Sequence, residues 1–195
     1  NGTFALSAGR TLTTTGQLTV GNEGQGALTN DGGTIDVSGN FALAQAAGSD
    51  NSAFMQNGGS TRVRGGSGVD IASAATSGQF ELADGHFTVE SGGFVVAGDA
   101  GGEADVVVGK ADGSTSPVLN VSGGNFETAY RGTGTVTWHG GTLNQQTSNL
   151  IVGQFAGSDA TFDMVGGTLN IDYNNAGTQY LRVANHEDVS GTFRL

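Results

Sequence analysis

The sequence contains no cysteine and only one proline among its 195 residues. Without cysteine, the chain cannot be a small fold held together by disulfides. With a single proline, and without glycine at every third position, it cannot be a collagen. No stretch approaches the roughly 20 uninterrupted apolar residues of a membrane span, so we expect no membrane insertion.

Basic residues are also scarce. Seven Lys and Arg residues stand against 18 Asp and Glu residues, which gives a formal net charge of −11. Proteins that bind nucleic acid neutralise phosphates with Lys and Arg, and anionic lipid surfaces attract polybasic segments. We therefore expect neither nucleic acid nor anionic lipid among the partners.

Glycine is abundant, and 36 glycines would by themselves also fit a disordered linker. The apolar residues argue against disorder, because they make up 36% of the chain and recur in pairs spaced by two. That spacing places both side chains on one face of a strand, and glycine at this density would cost a helix about 1 kcal/mol per position. The chain is therefore predicted to be all-β. The pairs include Leu18/Val20, Phe80/Leu82, Phe87/Val89, Val106/Val108, Leu119/Val121, Leu150/Val152, Phe162/Met164 and Leu169/Ile171.

A repeat with a nearly constant spacing predicts the topology. Seven aligned glycines are separated by 24, 26, 26, 39, 17 and 26 residues: Gly9, Gly33, Gly59, Gly85, Gly124, Gly141 and Gly167. Five positions earlier every residue is apolar: Phe4, Leu28, Phe54, Phe80, Leu119, Val136 and Phe162. Two positions later most are apolar: Thr11, Ile35, Thr61, Phe87, Phe126, Leu143 and Leu169.

The position three residues before each aligned glycine is mixed: Leu6, Asn30, Gln56, Leu82, Val121, Trp138 and Met164. Its polar members either form an inward amide ladder or indicate that the register slips by one residue.

A unit of about 26 residues is too short for a propeller blade of roughly 40 residues, but it accommodates three short strands and three turns. The glycines suit tight corners, because glycine adopts a positive φ without a Cβ clash. We predict a right-handed parallel β-helix (β-solenoid) of about 7–8 coils, forming a single domain over residues 1–195, with the handedness taken from the general crossover preference.

Two phrases carry a resemblance to known proteins. They run from Leu18 to Thr29 (LTVGNEGQGALT) and from Val165 to Ile171 (VGGTLNI). They resemble the repeats of bacterial autotransporter passenger domains and of surface proteins with PEP-CTERM-type sorting signals. The resemblance implies a secreted, pectin-lyase-like β-helix, and hence an extracellular location on a bacterial cell surface.

Enzymes that act on polysaccharides share this architecture, so catalysis must be considered. Lys110 is the only lysine, Asp105 and Asp112 flank it, and Arg62 and Arg64 alternate on one strand. A hydrolase would need carboxylates that converge across neighbouring coils. We expect no catalytic residues. The three histidines, His86, His139 and His186, lack the spacing of a zinc site, so we expect turn positions for them.

Acidic residues in the loops offer a weak candidate for Ca²⁺ binding. Stacking would bring acidic loops to one side of the solenoid, where like charges repel. Either the loops extend into water or a hard cation bridges some of them. The candidate metal ligands are Asp99, Glu103, Asp105, Asp112 and Asp159, in a row that also includes Glu23, Asp50, Glu187 and Asp188. Gly65–Asp70 matches one half-site of Ca²⁺-binding β-rolls, but it occurs once, which favours chance. We expect no cofactor.

The two termini of the sequence carry the same strand. Asn1–Leu6 reads NGTFAL and Ser190–Leu195 reads SGTFRL. An uncapped solenoid end offers unpaired backbone groups to another strand. The chain is therefore expected to be either a segment of a longer solenoid or a subunit that stacks end to end into a homo-oligomer. The assembly strands are assigned to Thr3, Phe4, Leu6, Thr192, Phe193 and Leu195.

The function predicted from the sequence is a non-catalytic extracellular structural protein, a stalk or fibre with a role in adhesion or matrix assembly. The alternative is a carbohydrate-active enzyme or carbohydrate-binding module on the same scaffold, with surface glycans as partners. Sugar platforms use exposed aromatic rings, and the candidates for stacking are Tyr130, Tyr173 and Tyr180.

Overall fold

The structure is a computed structural model that describes residues 1–171 and 179–195. In that part of the chain every regular element is a β-strand, and all strand pairs are parallel. Between the two ends of the stack, each strand pairs with its counterparts in the coils before and after it, so the predicted all-β parallel solenoid is confirmed. The right-handed sense of the coil stays a prediction.

Three strands make one coil. The first ladder contains β1 (Gly2–Ser7), the first halves of β4 (Gly26–Val37) and β6 (Ser52–Val63), β8 (Ser77–Leu82), β11 (Glu103–Val108), β14 (Thr133–Trp138), β17 (Asp159–Met164) and β20 (Ser190–Arg194). The second contains β2 (Thr11–Thr14), the second halves of β4 and β6, β9 (His86–Val89), β12 (Val118–Val121), β15 (Thr142–Gln145) and β18 (Thr168–Ile171).

The third ladder forms a separate sheet. It contains β3 (Leu18–Val20), β5 (Phe41–Leu43), β7 (Gly68–Ile71), β10 (Gly93–Val96), β13 (Phe126–Thr128), β16 (Leu150–Val152) and β19 (Leu181–Val183). The described strands therefore make seven three-stranded coils followed by β20, the first strand of an eighth.

One apolar column runs through the whole first ladder. The register aligns Phe4, Leu28, Phe54, Phe80, Val106, Val136, Phe162 and Phe193. Successive members are 24, 26, 26, 26, 30, 26 and 31 residues apart, which confirms the coil length read from the sequence.

The alignment on Gly124 was wrong. Leu119 pairs with Phe87 in the second ladder, and Val121 pairs with Val89 there; the first-ladder positions belong to Val106 and Val108. The cause is the corner between β11 and β12, which is lengthened to residues 109–117. Gly123 and Gly124 form a different corner, between the second and third strands, and consequently Phe126 lies in the third ladder.

A smaller error concerns the first coil. Leu12, and not Thr11, stands opposite Ile35, because the corner before β2 is one residue longer than its neighbour in the next coil.

The buried amides of the mixed column, Asn30 and Gln56, stand in register with each other, and the register between β4 and β6 shifts only after Asn30. The Gly33 N–H donates to Asn30 Oδ1 at 2.8 Å, and Gln56 Nε2 donates to the His86 carbonyl at 3.0 Å. Thr61 Oγ1 donates to Gln56 Oε1 at 2.6 Å. These side chains satisfy backbone groups at the glycine corner, which would otherwise be buried without partners.

Each coil turns at three corners, one after each strand. At the predicted corner, glycines such as Gly59 have a positive φ, and a Cβ on Gly59 would overlap the Gly33 carbonyl oxygen of the coil below. The corner after the third strand is left-handed as well, but in five coils it is occupied by alanine: Ala44, Ala72, Ala97, Ala129 and Ala184, with φ between 52° and 57°. Four of these methyl groups, all except that of Ala184, are fully buried in the core.

Candidate functional site

The five candidate metal ligands fall in three different places. Asp99 lies in the loop after β10, and Asp112 lies at the opposite corner, between β11 and β12. Glu103 and Asp105 are exposed on the outer face of β11. Asp159 begins β17 in the same column as Glu103, but Thr133 stands between them. The predicted row holds for the acidic residues that lie in, or at the end of, a connection from a third-ladder strand to the next first-ladder strand: Glu23, Asp50, Asp99, Glu103, Asp159, Glu187 and Asp188. It was wrong for Asp105, which lies within β11, and for Asp112, which lies at another corner.

Some of the loop carboxylates bind the backbone of a neighbouring coil. Asp50 Oδ1 accepts the Ser77 N–H at 3.1 Å, and Asp99 Oδ2 accepts the Ala74 N–H at 3.1 Å. At the other corner, hydrogen bonds from the Ser114 side chain and from the Ser114 N–H hold the pKa of Asp112 below its ordinary value. In residues 1–171 and 179–195, no group of three or more His, Cys, Asp or Glu side chains is close enough to hold a metal ion.

Asp70, the last residue of the Gly65–Asp70 motif, lies on the outer face of β7. Ser73 Oγ donates to its Oδ2 at 2.7 Å. Burial raises the pKa of Asp70, and the nearby charge of Asp99 adds to that effect, while the Ser73 hydrogen bond opposes it. This carboxylate is therefore held by a serine of its own coil.

The arginines singled out in the sequence make ion pairs between coils. Arg62 Nη2 lies 2.5 Å from Glu90 Oε1, and Arg64 Nη2 lies 2.5 Å from Asp36 Oδ1. Lys110 is exposed in the same loop as Asp112, whereas Asp105 points outward from β11. The structure does not bring these groups into one constellation.

The histidines lie at three separate positions. His86 begins β9, His139 follows β14, and His186 lies in the loop after β19. The ring of His186 lies 6.3 Å from that of Phe155 between centroids.

A row of aromatic rings crosses the loops that follow β13, β16 and β19. The rings of Tyr130 and Phe155 meet edge to face at 4.8 Å, and the row continues to His186. The Arg131 guanidinium lies 5.7 Å from the Tyr130 centroid and 5.4 Å from that of Phe155. Sequence reasoning found Tyr130 but missed Phe155 and Arg131. The available signal was their recurrence at a similar distance after successive third strands.

Tyr180 lies apart from that row, exposed beside Arg182, whose guanidinium is 4.9 Å from the ring centroid. Tyr173 lies outside the described residues.

The remaining candidate surfaces are the two end faces of the solenoid. We define the first end face by β1, β2 and β3, and the last end face by β18, β19 and β20. Within the described residues each of these strands has a partner on one side only. Thr3, Phe4, Leu12, Leu18 and Leu28 line an open depression on the first end face.

The end faces expose the inner columns that the other coils bury. Phe4 is 52% exposed, whereas Phe54 and Phe162 in the same column are completely buried. On the last end face Leu181 and Val183 are each 43% exposed and Leu195 is 89% exposed, while Phe193 is only partly buried. Of the predicted assembly residues, Leu6 alone is buried; Thr3 is exposed and Thr192 is partly buried.

No family model, curated protein or solved structure matches the chain. The described residues contain no apolar helix of the length needed to span a membrane.

Proposed function

We propose that the chain is a non-catalytic structural protein: a β-solenoid stalk or fibre of a bacterial cell surface, with a role in adhesion or matrix assembly. The proposal combines the repeat architecture with the resemblance of the repeats to autotransporter passenger domains. In this proposal the chain extends a stiff, regular rod. Hydrogen bonds between the backbones of stacked coils hold the rod together.

The observation that carries the proposal is the stack of parallel coils around one inner column, which runs in register from Phe4 to Phe193. Covering apolar surface stabilises by about 25 cal/mol per Å². Unpaired strand edges also favour the addition of further parallel strands. A further coil would bury Phe4, Leu181 and Val183, as their counterparts are buried inside the solenoid. That coil is either supplied by a second copy or belongs to a longer solenoid.

The net charge of −11 favours an assembly that is one molecule wide. Side-by-side contact between rods of like charge is unfavourable, whereas contact between end faces is stabilised by apolar columns and backbone hydrogen bonds. Association is therefore expected along the axis.

A second candidate function, carbohydrate binding, is favoured by the row of Tyr130, Phe155 and Arg131. Partly exposed rings next to a guanidinium are surfaces on which a sugar can stack. Binding of oligosaccharides that Tyr130→Ala removes would support this alternative.

Light scattering and negative-stain imaging over a range of concentrations test the structural proposal. Phe4→Lys places a charge in the inner column of β1 and should keep the protein monomeric. Thr3→Lys, one position away on the outer face, is the matched control and should assemble like the wild type. If wild-type protein stays monomeric at every concentration, assembly by this chain alone is refuted.

A further inference from the structure

The corner after the third strand changes character along the solenoid. From β5 to β19, the residues two and three places after that strand are Gln45 and Ala46, Ser73 and Ala74, Gly98 and Asp99, Tyr130 and Arg131, Gln154 and Phe155, and Asn185 and His186. Large rings thus replace small residues from β13 onward. Tyr130 and Phe155 are partly exposed and do not belong to the hydrophobic core, so core packing does not account for them.

Backbone hydrogen bonds on both sides fix the positions of these residues. The Arg131 N–H donates to the Ala97 carbonyl of the preceding coil at 3.2 Å, and the Phe155 N–H donates to the Tyr130 carbonyl at 3.1 Å. Because further coils lie both before Tyr130 and after Phe155, the exposure of the two rings does not depend on what adjoins either end face. The rings therefore form a preorganised surface on the side of the rod.

The Arg131 guanidinium lies over both rings, within 6 Å of each centroid. Arg131 is exposed, and within residues 1–171 and 179–195 each ion pair is formed by another arginine. A guanidinium carries five N–H donors in a planar fork. The rings therefore hold the fork in place while its donors stay available to a ligand.

The charges around the rings disfavour a charged ligand of either sign. Asp99 occupies the position of Arg131 in the preceding coil, and Asp159 begins β17 four residues after Phe155. Together with the net charge of −11, these carboxylates repel a polyanion. The Arg131 guanidinium in turn repels a cation that approaches the faces of the rings. An uncharged ligand is repelled by neither.

We propose that Tyr130, Arg131 and Phe155 form a lateral binding site for an uncharged glycan. This inference rests on the second candidate function, carbohydrate binding, and specifies its ligand class. A pyranose ring presents apolar C–H groups on its face and hydroxyl groups around its edge. The C–H groups pack against the exposed parts of the two aromatic rings, and the guanidinium donates hydrogen bonds to the hydroxyl oxygens. The aromatic rings supply apolar contact area, while Arg131 fixes the orientation of the sugar.

Isothermal titration calorimetry with hexasaccharides that differ in charge tests the ligand class. The probes are neutral hexamers of glucose, mannose and N-acetylglucosamine, a cationic hexamer of glucosamine and an anionic hexamer of glucuronic acid. We expect at least one neutral hexamer to bind, and to bind several-fold more tightly than either charged hexamer. Its affinity should change little between about 0.01 M and about 1 M salt, over which the Debye length falls from about 30 Å to about 3 Å.

The other results of this titration separate the inference from the function on which it rests. Tightest binding by a charged hexamer, or equal binding of neutral and charged hexamers, would overturn the uncharged ligand and leave carbohydrate binding in place. Binding by none of the hexamers would overturn both. The structural proposal would be unaffected, because assembly tests it independently of any sugar.

Single substitutions locate the site with the neutral hexamer that binds. Tyr130→Ala and Phe155→Ala should each weaken binding at least several-fold, since each removes a ring against which the sugar packs. Arg131→Gln, whose amide still donates hydrogen bonds, should retain more of the affinity than Arg131→Ala. An equal loss in the two Arg131 variants would contradict hydrogen bonding by this side chain.

Tyr180→Ala is the matched control. Its exposed ring also lies beside a guanidinium, that of Arg182 at 4.9 Å from the centroid, but this group already donates to Asn185 Oδ1 at 3.2 Å. The control should bind like the wild type, and circular dichroism checks that every variant keeps the β-fold. Unchanged binding in both Tyr130→Ala and Phe155→Ala, or a loss confined to Tyr180→Ala, would overturn the proposed site.

Discussion

The rings of Phe94 and Phe126 stack face to face across two neighbouring coils, with centroids 5.0 Å apart and planes 6° from parallel. They are part of an almost continuous series of aromatic contacts inside the solenoid. Other contacts in the series join Phe41 to Phe54, Phe54 to Phe80, Phe80 to Phe94, Phe126 to Phe162 and Phe162 to Phe193. The core is therefore continuous along the axis, and each coil is stabilised mainly by the coils next to it.

Replacement of Phe162 by alanine should be strongly destabilising. Its fully buried ring contacts Phe126, Trp138 and Phe193, so Phe162→Ala leaves a cavity expected to cost about 3–5 kcal/mol in the free energy of unfolding. Urea denaturation measures the change. Val165→Ala, at a largely exposed corner, is the control and should stay within about 0.5 kcal/mol of wild type. A similarly small loss of stability for Phe162→Ala would contradict the placement of Phe162 in the buried inner column.

Glycine is required at the corner that contains Gly59. Its φ is +75°, and a Cβ there would overlap the Gly33 carbonyl oxygen. Gly59→Ala should therefore cost more than the roughly 1–2 kcal/mol of a left-handed L-residue, because the neighbouring coil must also move. Gly66→Ala, with open space around the new methyl group, should melt close to wild type. Equal melting temperatures for the two variants would refute the close contact between the Gly59 corner and the corner of the neighbouring coil.

The stability contributed by Glu127 should depend on pH. Burial raises the pKa of this carboxyl group, and the hydrogen bond that it accepts from Asn125 Nδ2 only partly opposes the shift. The folded state then holds the proton more tightly than the unfolded state. Stability is consequently lost as pH rises from the unfolded pKa, about 4.3, through the folded pKa.

Glu127→Gln should therefore melt at a higher temperature than wild type at pH 7, and the difference should vanish at about pH 3.5, below both pKa values. Thermal melts at the two pH values check this. Glu103→Gln, which removes an exposed carboxylate, serves as the control for loss of charge. A variant that is less stable than wild type at pH 7 would show that the carboxylate is needed in its charged form.

Calcium should have little effect on stability. The candidate ligands are spread over two loops and two strands, and Asp50 and Asp99 already accept backbone N–H groups. We expect the same melting temperature in excess chelator and in millimolar Ca²⁺. A rise that grows with Ca²⁺ concentration would instead indicate an ion bound to the native state alone.

The fold could be predicted from the sequence because the inner column repeats with the coil. Phe54, Phe80 and Phe162 stand five residues before a glycine, and the structure places all three in one column. The alignment failed at Gly124, because a glycine pair does not reveal which corner it forms, and the long corner at 109–117 shifted the spacing.

The left-handed corner after the third strand could not be predicted from residue type. Alanine rarely adopts a positive φ, and here the burial of its methyl group in the core offsets the backbone strain. The small residues that face this corner, such as Gly78 and Gly134, leave room for it. The signal in the sequence was the recurrence of alanine after Leu43, Ile71 and Val96.

The end faces were recognisable in the sequence as repeated strands, but their mismatch was not. The similarity of Thr3–Leu6 and Thr192–Leu195 suggests that one strand continues the other. Only the pairing pattern shows that β20 belongs to a coil beyond β18 and β19.

The axial subunit repeat of the assembled protein, measured by electron microscopy, tests the central claim that the end faces are assembly surfaces. End-to-end stacking predicts unbranched particles with an axial repeat of about 34 to 38 Å, which is seven to eight coils at about 4.8 Å. Protein that remains a single solenoid at every concentration would contradict the claim itself.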